Sequence, residues 1–379
     1  MEGGTGHRQS RHIAVRRPRS LTAAWLFVFL GSSAASIDGQ VVRGDVVDSM
    51  GSRPLSSVLV VLTDTTGREL ARDLTDGMGR YLLRAGGPGT YRVRTLVVGY
   101  RRWESTAFTL NRGQSVERRI PLALVPIVLP SFTVEAERTC VLRPEEGAAA
   151  AALWEEVRKT LQVTQMTIDR RRYRFFTLET TREYDRLGAL VDSSTQPQLG
   201  FTALGFGSAS AEELARQGFV RAALGGPIYY APDARVLVSD AFLDKHCFRV
   251  GRSSDGTRIG LRFEPVSRGD LPDVRGTLWL DSATVELRSL EWKYTELSRW
   301  AREADPGGTM EFARLPNGAW FIREWELTAP VARVIVGRND TTLNSIKVRS
   351  GAVREVLSAT GEVIVQFDSV RATPASIRR

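Results

Sequence analysis

Between residues 40 and 125, hydrophobic positions come in short runs broken by glycine, proline and aspartate. Val41–Val47, Ser57–Thr63, Glu69–Leu74, Tyr81–Arg84, Gly89–Leu96, Ala107–Leu110 and Ser115–Leu124 each alternate or are rich in β-branched residues, as strands do. None has helical spacing, and the turns between them carry Gly and Asp where a positive φ is needed. About seven strands within about ninety residues predict a β-sandwich.

The pattern changes after the proline-bounded stretch Pro126–Pro130. In Gly147–Gln162, Leu153, Val157 and Leu161 recur every four residues behind an alanine run, which predicts a helix. Ser210 with Glu213 makes a capping box for a short helix through Gln217, and Ser239 caps a third over Asp240–His246. Strands are expected at Tyr173–Tyr184, Arg258–Glu264, Gly276–Asp281, Thr284–Thr295, Thr309–Arg314, Trp320–Leu327, Val331–Gly337, Asn344–Val348 and Val363–Asp368. The Asp281-Ser282 and Pro316-Asn317-Gly318 turns join neighbouring strands into an antiparallel meander. The fold class expected is therefore mainly β. A sandwich over residues 36–125 leads through a linker, 126–147, into an α+β region, 148–368, with a curved antiparallel sheet and a few short helices. Residues 369–379 form a tail.

Three ordered motifs in the first region resemble the carboxypeptidase regulatory-like domain. They are Val42-Arg43-Gly44-Asp45 with Arg53-Pro54-Leu55, the turn Thr75-Asp76-Gly77-Met78-Gly79-Arg80-Tyr81, and Gly89-Thr90-Tyr91-Arg92-Val93 with Gly99-Tyr100. The resemblance implies a transthyretin-like, prealbumin-type sandwich. Members of that family serve as accessory or binding modules on exported peptidases, carbohydrate-active enzymes and outer-membrane receptors. The residues also have a reading of their own. Asp76 can accept backbone N–H bonds and hold the turn, and Gly79 lets the chain reverse so that the Tyr81 ring enters the core. One carboxylate is too few for Ca²⁺, which takes six to eight oxygens. The succession from Gly276-Thr277-Leu278-Trp279-Leu280-Asp281 into Val285–Trp292 resembles the curved sheet of lipoprotein-carrier-like half barrels. That would imply a concave apolar face for a lipid or an apolar peptide. Trp279, Trp292, Trp320 and Trp325 then either line a binding face or fill an ordinary core.

Composition narrows the chemistry. The chain has 379 residues and a formal net charge of +9, but only four of its 52 basic residues are lysines (Lys159, Lys245, Lys293, Lys347). Five arginines within the first twenty residues precede the apolar run Leu21–Gly31 and the small residues Ser32-Ser33-Ala34-Ala35. This reads as a secretory signal peptide over residues 1–35, too short in its apolar part to span a bilayer. Arg170-Arg171-Arg172, followed by Tyr173, Phe175 and Phe176, is a basic run with aromatics of the sort that stacks nucleic acid. Export argues against such a partner, and a solvated strand entry is the alternative.

The chain has three histidines, of which His7 and His12 fall in the targeting segment, and two cysteines. A zinc carboxypeptidase site needs two histidines and a glutamate on the metal, so that site is not expected here, and no cofactor or metal is. Cys140 and Cys247 in an exported chain are expected to form a disulfide; a catalytic thiol beside His246 is the alternative. Asp240 and Asp244 share a helical face at i,i+4, and Glu145-Glu146, Glu155-Glu156 and Glu212-Glu213 are further carboxylate pairs. Asn339-Asp340-Thr341 fits a glycosylation sequon, but is expected to form a hairpin turn instead. Together these features point to an exported, non-enzymatic binding or docking protein of the bacterial cell envelope, in the periplasm or associated with the outer membrane. Its partner would be an envelope protein or a polysaccharide, not nucleic acid. The rivals are an envelope hydrolase working through carboxylates of the α+β region and a carrier of a lipid or other apolar ligand.

Overall fold

The run Val58-Leu59-Val60-Val61-Leu62 has no polar position on either side of its pleat, so a strand here must be covered on both faces. The computed structural model shows how. It describes residues 1, 40–124, 140–144, 147–224, 226–267, 269–335 and 340–367. The expected targeting segment beyond Met1, most of the linker and the tail lie outside them, as does Asn339 of the sequon.

Nine strands build the sandwich: β1 (Gln40–Asp48), β2 (Leu59–Asp64), β3 (Glu69–Leu74), β4 (Arg80–Ala85), β5 (Gly89–Leu96), β6 (Trp103–Glu104), β7 (Phe108–Leu110), β8 (Ser115–Glu117) and β9 (Ile120–Leu122). One sheet has the order β4-β1-β8, with β9 also on β1, and the other β3-β2-β5-β6, with β7 also on β5. Val58, Val60, Leu62, Tyr91 and Val93 point between the sheets and meet Val42, Val46, Tyr81 and Leu83 in the sandwich core. Asp76 Oδ1 accepts from the Met78 and Arg80 amides, each at 2.9 Å. Gly79 has φ +74°, and a Cβ there would sit 2.6 Å from the Val46 carbonyl oxygen. Tyr81 is buried and donates its hydroxyl to the Arg118 carbonyl at 3.0 Å.

The remaining elements are β10 (Val141–Leu142), α1 (Ala148–Asp169), β11 (Tyr173–Asp185), β12 (Leu190–Gly200), α2 (Ala211–Gln217), β13 (Val220–Arg221), β14 (Ile228–Tyr229), α3 (Ala234–Leu237), α4 (Asp240–Leu243), β15 (His246–Arg252), β16 (Arg258–Pro265), β17 (Asp273–Asp281), β18 (Leu287–Thr295), α5 (Arg299–Arg302), β19 (Gly307–Arg314), β20 (Trp320–Ile335), β21 (Asp340–Ser358) and β22 (Val363–Gln366). Eleven of these strands form one antiparallel sheet in the order β10-β15-β16-β17-β18-β19-β20-β21-β11-β12, with β22 on β21. The path is open: β10 and β12 are its two ends. The expected breaks at Val331 and Val348 are absent, because β20 and β21 run on as one long ladder from Glu324↔Ala352 to Ile335↔Asp340. The helix expected through His246 stops at Leu243, and His246–Arg252 is a strand whose Phe248 and Val250 alternate inward.

Helix α1 is the element between the two sheets. Leu59, Val61, Leu74, Leu96 and Val98 leave the sandwich on its outer side and share one core with Leu153, Trp154, Val157 and Leu161 of α1 and with Phe263, Leu278, Leu290 and Trp292 of the large sheet. A helix covered by protein on two sides has little room for a solvated face. Glu156, Lys159, Thr160, Thr164 and Thr167 are all buried. The threonine hydroxyls donate to the carbonyls four residues back, at 3.2, 2.8 and 2.9 Å. Lys159 Nζ donates to Glu156 Oε1 at 2.7 Å and to the Tyr100 carbonyl, in the sandwich, at 3.4 Å. Burial, the largest effect, holds the Glu156 carboxyl above the usual range despite the Lys159 ammonium and the Gly99 amide.

The basic run after α1 completes this joint. Arg170 Nη2 donates to the Arg72 carbonyl at 2.7 Å and lies 3.0 Å from an Asp73 carboxylate oxygen. Arg172 donates to the Leu74 carbonyl at 3.1 Å. These guanidiniums fasten β3 to the end of α1, which gives the run a structural role. Of its aromatics, Phe175 is buried and stacks on Phe321 at 5.5 Å.

The buried pair makes a testable point. Lys159→Met leaves the Glu156 carboxylate buried without its cation and is expected to cost about 3–5 kcal/mol, whereas Lys159→Met/Glu156→Leu recovers most of it. A carboxyl whose folded pKa lies above its unfolded one costs stability in full above the folded pKa, and the cost fades as pH falls from there to the unfolded pKa. The Lys159→Met deficit therefore shrinks as pH is lowered from about 8 toward 5, read by denaturant titration at each pH. Additive losses in the double variant would contradict the pairing.

Candidate functional site

With α1 and the short helices on one face of the large sheet, the opposite face of β15–β20 carries the polar half of each alternating strand. Leu261, Phe263, Leu278, Leu290, Trp292 and Met310 point to the core, and the residues between them point away from it. The strand register sets these outward residues in rows. One row reads Arg249, Arg262, Thr277, Glu291, Thr309, Glu326 and Ser350 across seven strands. In the next, Arg275 stands opposite Lys293, which stands opposite Gly307 and then Thr328. All of these residues but Ser350 line a cavity of about 430 Å³, whose floor includes Gly276, Gly308 and part of Trp292.

The charges here are of both signs and only partly matched. Arg249 is paired with Glu264. Lys293 Nζ lies 2.6 Å from Asp305, at the edge of the groove. Glu291 is 3.9 Å from Arg258. Glu326 is half-buried, and burial, opposed by Arg182 and Lys293, keeps its carboxyl above the usual range. A neutral carboxylic acid can donate as well as accept.

The four candidate tryptophans occupy different places. Trp292 and Trp325 are buried and each faces a glycine across the ladder: a Cβ on Gly308 would lie 2.3 Å from the Trp292 ring, and one on Gly351 2.3 Å from Trp325 Nε1. Trp325 Nε1 donates to the Ala203 carbonyl at 2.8 Å, and Phe206 meets its ring edge-on at 5.0 Å. Trp320 is buried where the Pro316-Asn317-Gly318 turn meets Ser56 and Ser57 of the sandwich. Trp279 alone of the four is half-buried; it covers Gly260 on the outward face, with the Arg258 guanidinium 4.9 Å above its ring.

Cys140 and Cys247 are joined by a disulfide, which ties the chain just before β10 to β15 at the end of the sheet. Glu264 approaches both sulfurs, but sulfurs bonded to each other offer no thiolate to a metal. His246 is buried and structural in its contacts. Its Nδ1 lies 2.9 Å from the Phe242 carbonyl oxygen and its Nε2 3.1 Å from that of Val274, while the ring stacks on Phe242. Asp240 and Asp244 do share a face, and both engage Arg143. Glu155 pairs with Arg158 at 2.6 Å, and Glu213 with Arg221. Glu145 and Glu146 lie outside the described residues. Sequence reasoning did not single out Arg262, Arg275 or Glu326. The signal was the alternation of Arg and Glu with Leu and Phe in Arg258–Glu264 and of Glu and Lys with Leu and Trp in Leu290–Tyr294.

The architecture is that of a two-sheet β-sandwich joined through a helix to a large open antiparallel sheet. The sandwich is a carboxypeptidase regulatory-like domain: the model of that family matches residues 41–123. No curated protein matches the chain. Among solved structures, a 5-hydroxyisourate hydrolase from Klebsiella pneumoniae is similar at 16% identity over 22% of this chain and 85% of its own, with a TM-score of 0.19. The minor pilin GBS52 of Streptococcus agalactiae is similar at 22% identity over 25% of this chain and 47% of its own, with a TM-score of 0.20. A DUF1329 family protein from Desulfovibrio piger is similar at 8% identity over 56% of this chain and 95% of its own, with a TM-score of 0.23. At these values the likenesses carry no argument about function.

The tryptophan placements separate core from surface. Trp325→Ala is expected to cost about 3–5 kcal/mol, as large-to-small core changes do, and Trp279→Ala about 1 kcal/mol or less. Equal losses in urea titrations would contradict the assignment of Trp279 to the open face. Gly308→Ala overpacks against Trp292 and is expected to cost about 1–3 kcal/mol, less when Trp292 is made Leu.

Proposed function

We propose that this chain is an exported, non-catalytic binding protein of the bacterial cell envelope. In this reading the regulatory-like sandwich docks the protein, and the polar groove on the open sheet face holds a hydroxyl-rich ligand, a polysaccharide. The observation that carries the reading is the groove itself: a rigid antiparallel floor presents Thr277, Thr309 and Thr328, guanidiniums and a half-buried carboxyl in rows, with Trp279 beside them. Hydroxyls, charged forks and an aromatic plane are the groups that bind sugar rings. The lipid-carrier reading is weaker, because α1 and the sandwich fill the apolar side where such a ligand would go.

Export rests on the pattern of residues 1–35, and no described helix is long and apolar enough to cross a membrane. A hydrolase reading has one observation in its favour: Glu326, with its raised carboxyl, shares a row with Glu291 across β19. One experiment separates the three. Full-length protein from an envelope fraction is sedimented with insoluble cell-wall and plant polysaccharides and assayed for released reducing ends and for co-purified lipid. Retention on at least one polysaccharide without release supports binding. Reducing ends lost in Glu326→Gln select the hydrolase, and bound lipid without polysaccharide retention selects the carrier.

A further inference from the structure

The outward rows contain two pairings that a sheet ordinarily avoids. Arg249 is set directly opposite Arg262, and Arg275 directly opposite Lys293. Like charges directly opposite on adjacent strands are destabilising. Arg249 has Glu264 and Lys293 has Asp305, but among the described residues no carboxylate lies within ion-pair distance of Arg262 or Arg275. Both are exposed at the same cavity, on neighbouring strands. Arg262 is also given a seat: it packs over Gly251, where a Cβ would come within 3.0 Å of its Nε.

Resting on the polysaccharide reading above, we propose that Arg262 and Arg275 hold the carboxylates of an acidic polysaccharide, a polyuronate, lying across the strands of this groove. A planar guanidinium matches a carboxylate through two parallel N–H···O bonds. Arg262 and Arg275 stand on adjacent strands, about 5 Å apart across the sheet, and two residues out of register along it, so their backbone positions are about 8 Å apart, at the scale of sugar units, not of single atoms. The threonines between them meet hydroxyls. The interspersed Glu264, Glu291 and Glu326 oppose densely charged polymers, which favours one carboxylate per sugar over sulfate on every position. Removing the guanidiniums relieves the like-charge pairings, so the fold should not suffer for their loss. This opposition between stability and binding is what marks a ligand site.

Calorimetric titration of the full chain with unesterified polygalacturonate, with the same polymer fully methyl-esterified, and with dextran sulfate tests the proposal. The acid form is expected to bind about tenfold or more tightly than the ester, as loss of a charge-assisted hydrogen bond implies. Arg262→Gln/Arg275→Gln is expected to lose about tenfold to a hundredfold in affinity for the acid form while its melting temperature stays level or rises. Equal binding of acid and ester overturns the proposal and leaves the polysaccharide reading intact. Preference for dextran sulfate overturns it in favour of charge density. An unchanged affinity in the double variant overturns the assignment of the two arginines, and failure to bind these or any other polysaccharide removes the reading beneath it.

Discussion

Strand β2 cannot be solvated on either face, and the structure is arranged around that constraint. Val58, Val60 and Leu62 are closed by the sandwich, while Leu59 and Val61 need a second apolar layer. Helix α1 supplies it and is itself closed on its far side by the large sheet. Burying roughly 100 Å² of apolar surface stabilises by about 2.5 kcal/mol, so a shared layer of this kind outweighs any single hydrogen bond at the joint. Several of the polar groups that α1 carries into it are answered locally: threonines by their own helix, Lys159 by Glu156 and the Tyr100 carbonyl, and the arginines past its end by Asp73 and the backbone of β3.

The open groove follows from the same arrangement. Because α1 and the short helices take one face of the large sheet, the strands can alternate cleanly, with charge left on the other. The glycines opposite Trp292 and Trp325 let large rings lie flat against the ladder, which thickens the core without a second full layer. The resulting floor sets its side chains at the even spacing of the strand register.

Much of this was legible in the sequence. The sandwich strands, the Asp76–Gly79–Tyr81 turn and the start of α1 follow from local alternation, capping and turn chemistry, where neighbouring residues carry the signal. The extension of α1 to Asp169 did not, because Thr160, Thr164 and Thr167 dilute the apolar stripe, and their burial becomes sensible only once layers close on both sides. Strand β15 was hidden because His246-Cys247 reads as the tail of a capped helix. The roles of Arg170 and Arg172 were illegible for a different reason: their partners in β3 are about a hundred residues away. The groove was the least visible feature. Arg262 and Arg275 become neighbours only through strand register, and register is decided by the whole ladder. Of the tryptophans, the sequence offered four equivalent candidates; each of Trp279, Trp292 and Trp325 faces a glycine across the ladder, and what separates Trp279 is that it lies on the open face of the sheet and not in the core.

The central claim is that α1 makes the sandwich and the large sheet one cooperative body. Native-state hydrogen exchange tests it most directly, by comparing opening free energies of amides in β2 and β5 with those in β16, β17 and β18. The account predicts the same value for both sets, falling together in the Lys159→Met variant. Sandwich amides that open at a lower free energy of their own, untouched by that substitution, would contradict it.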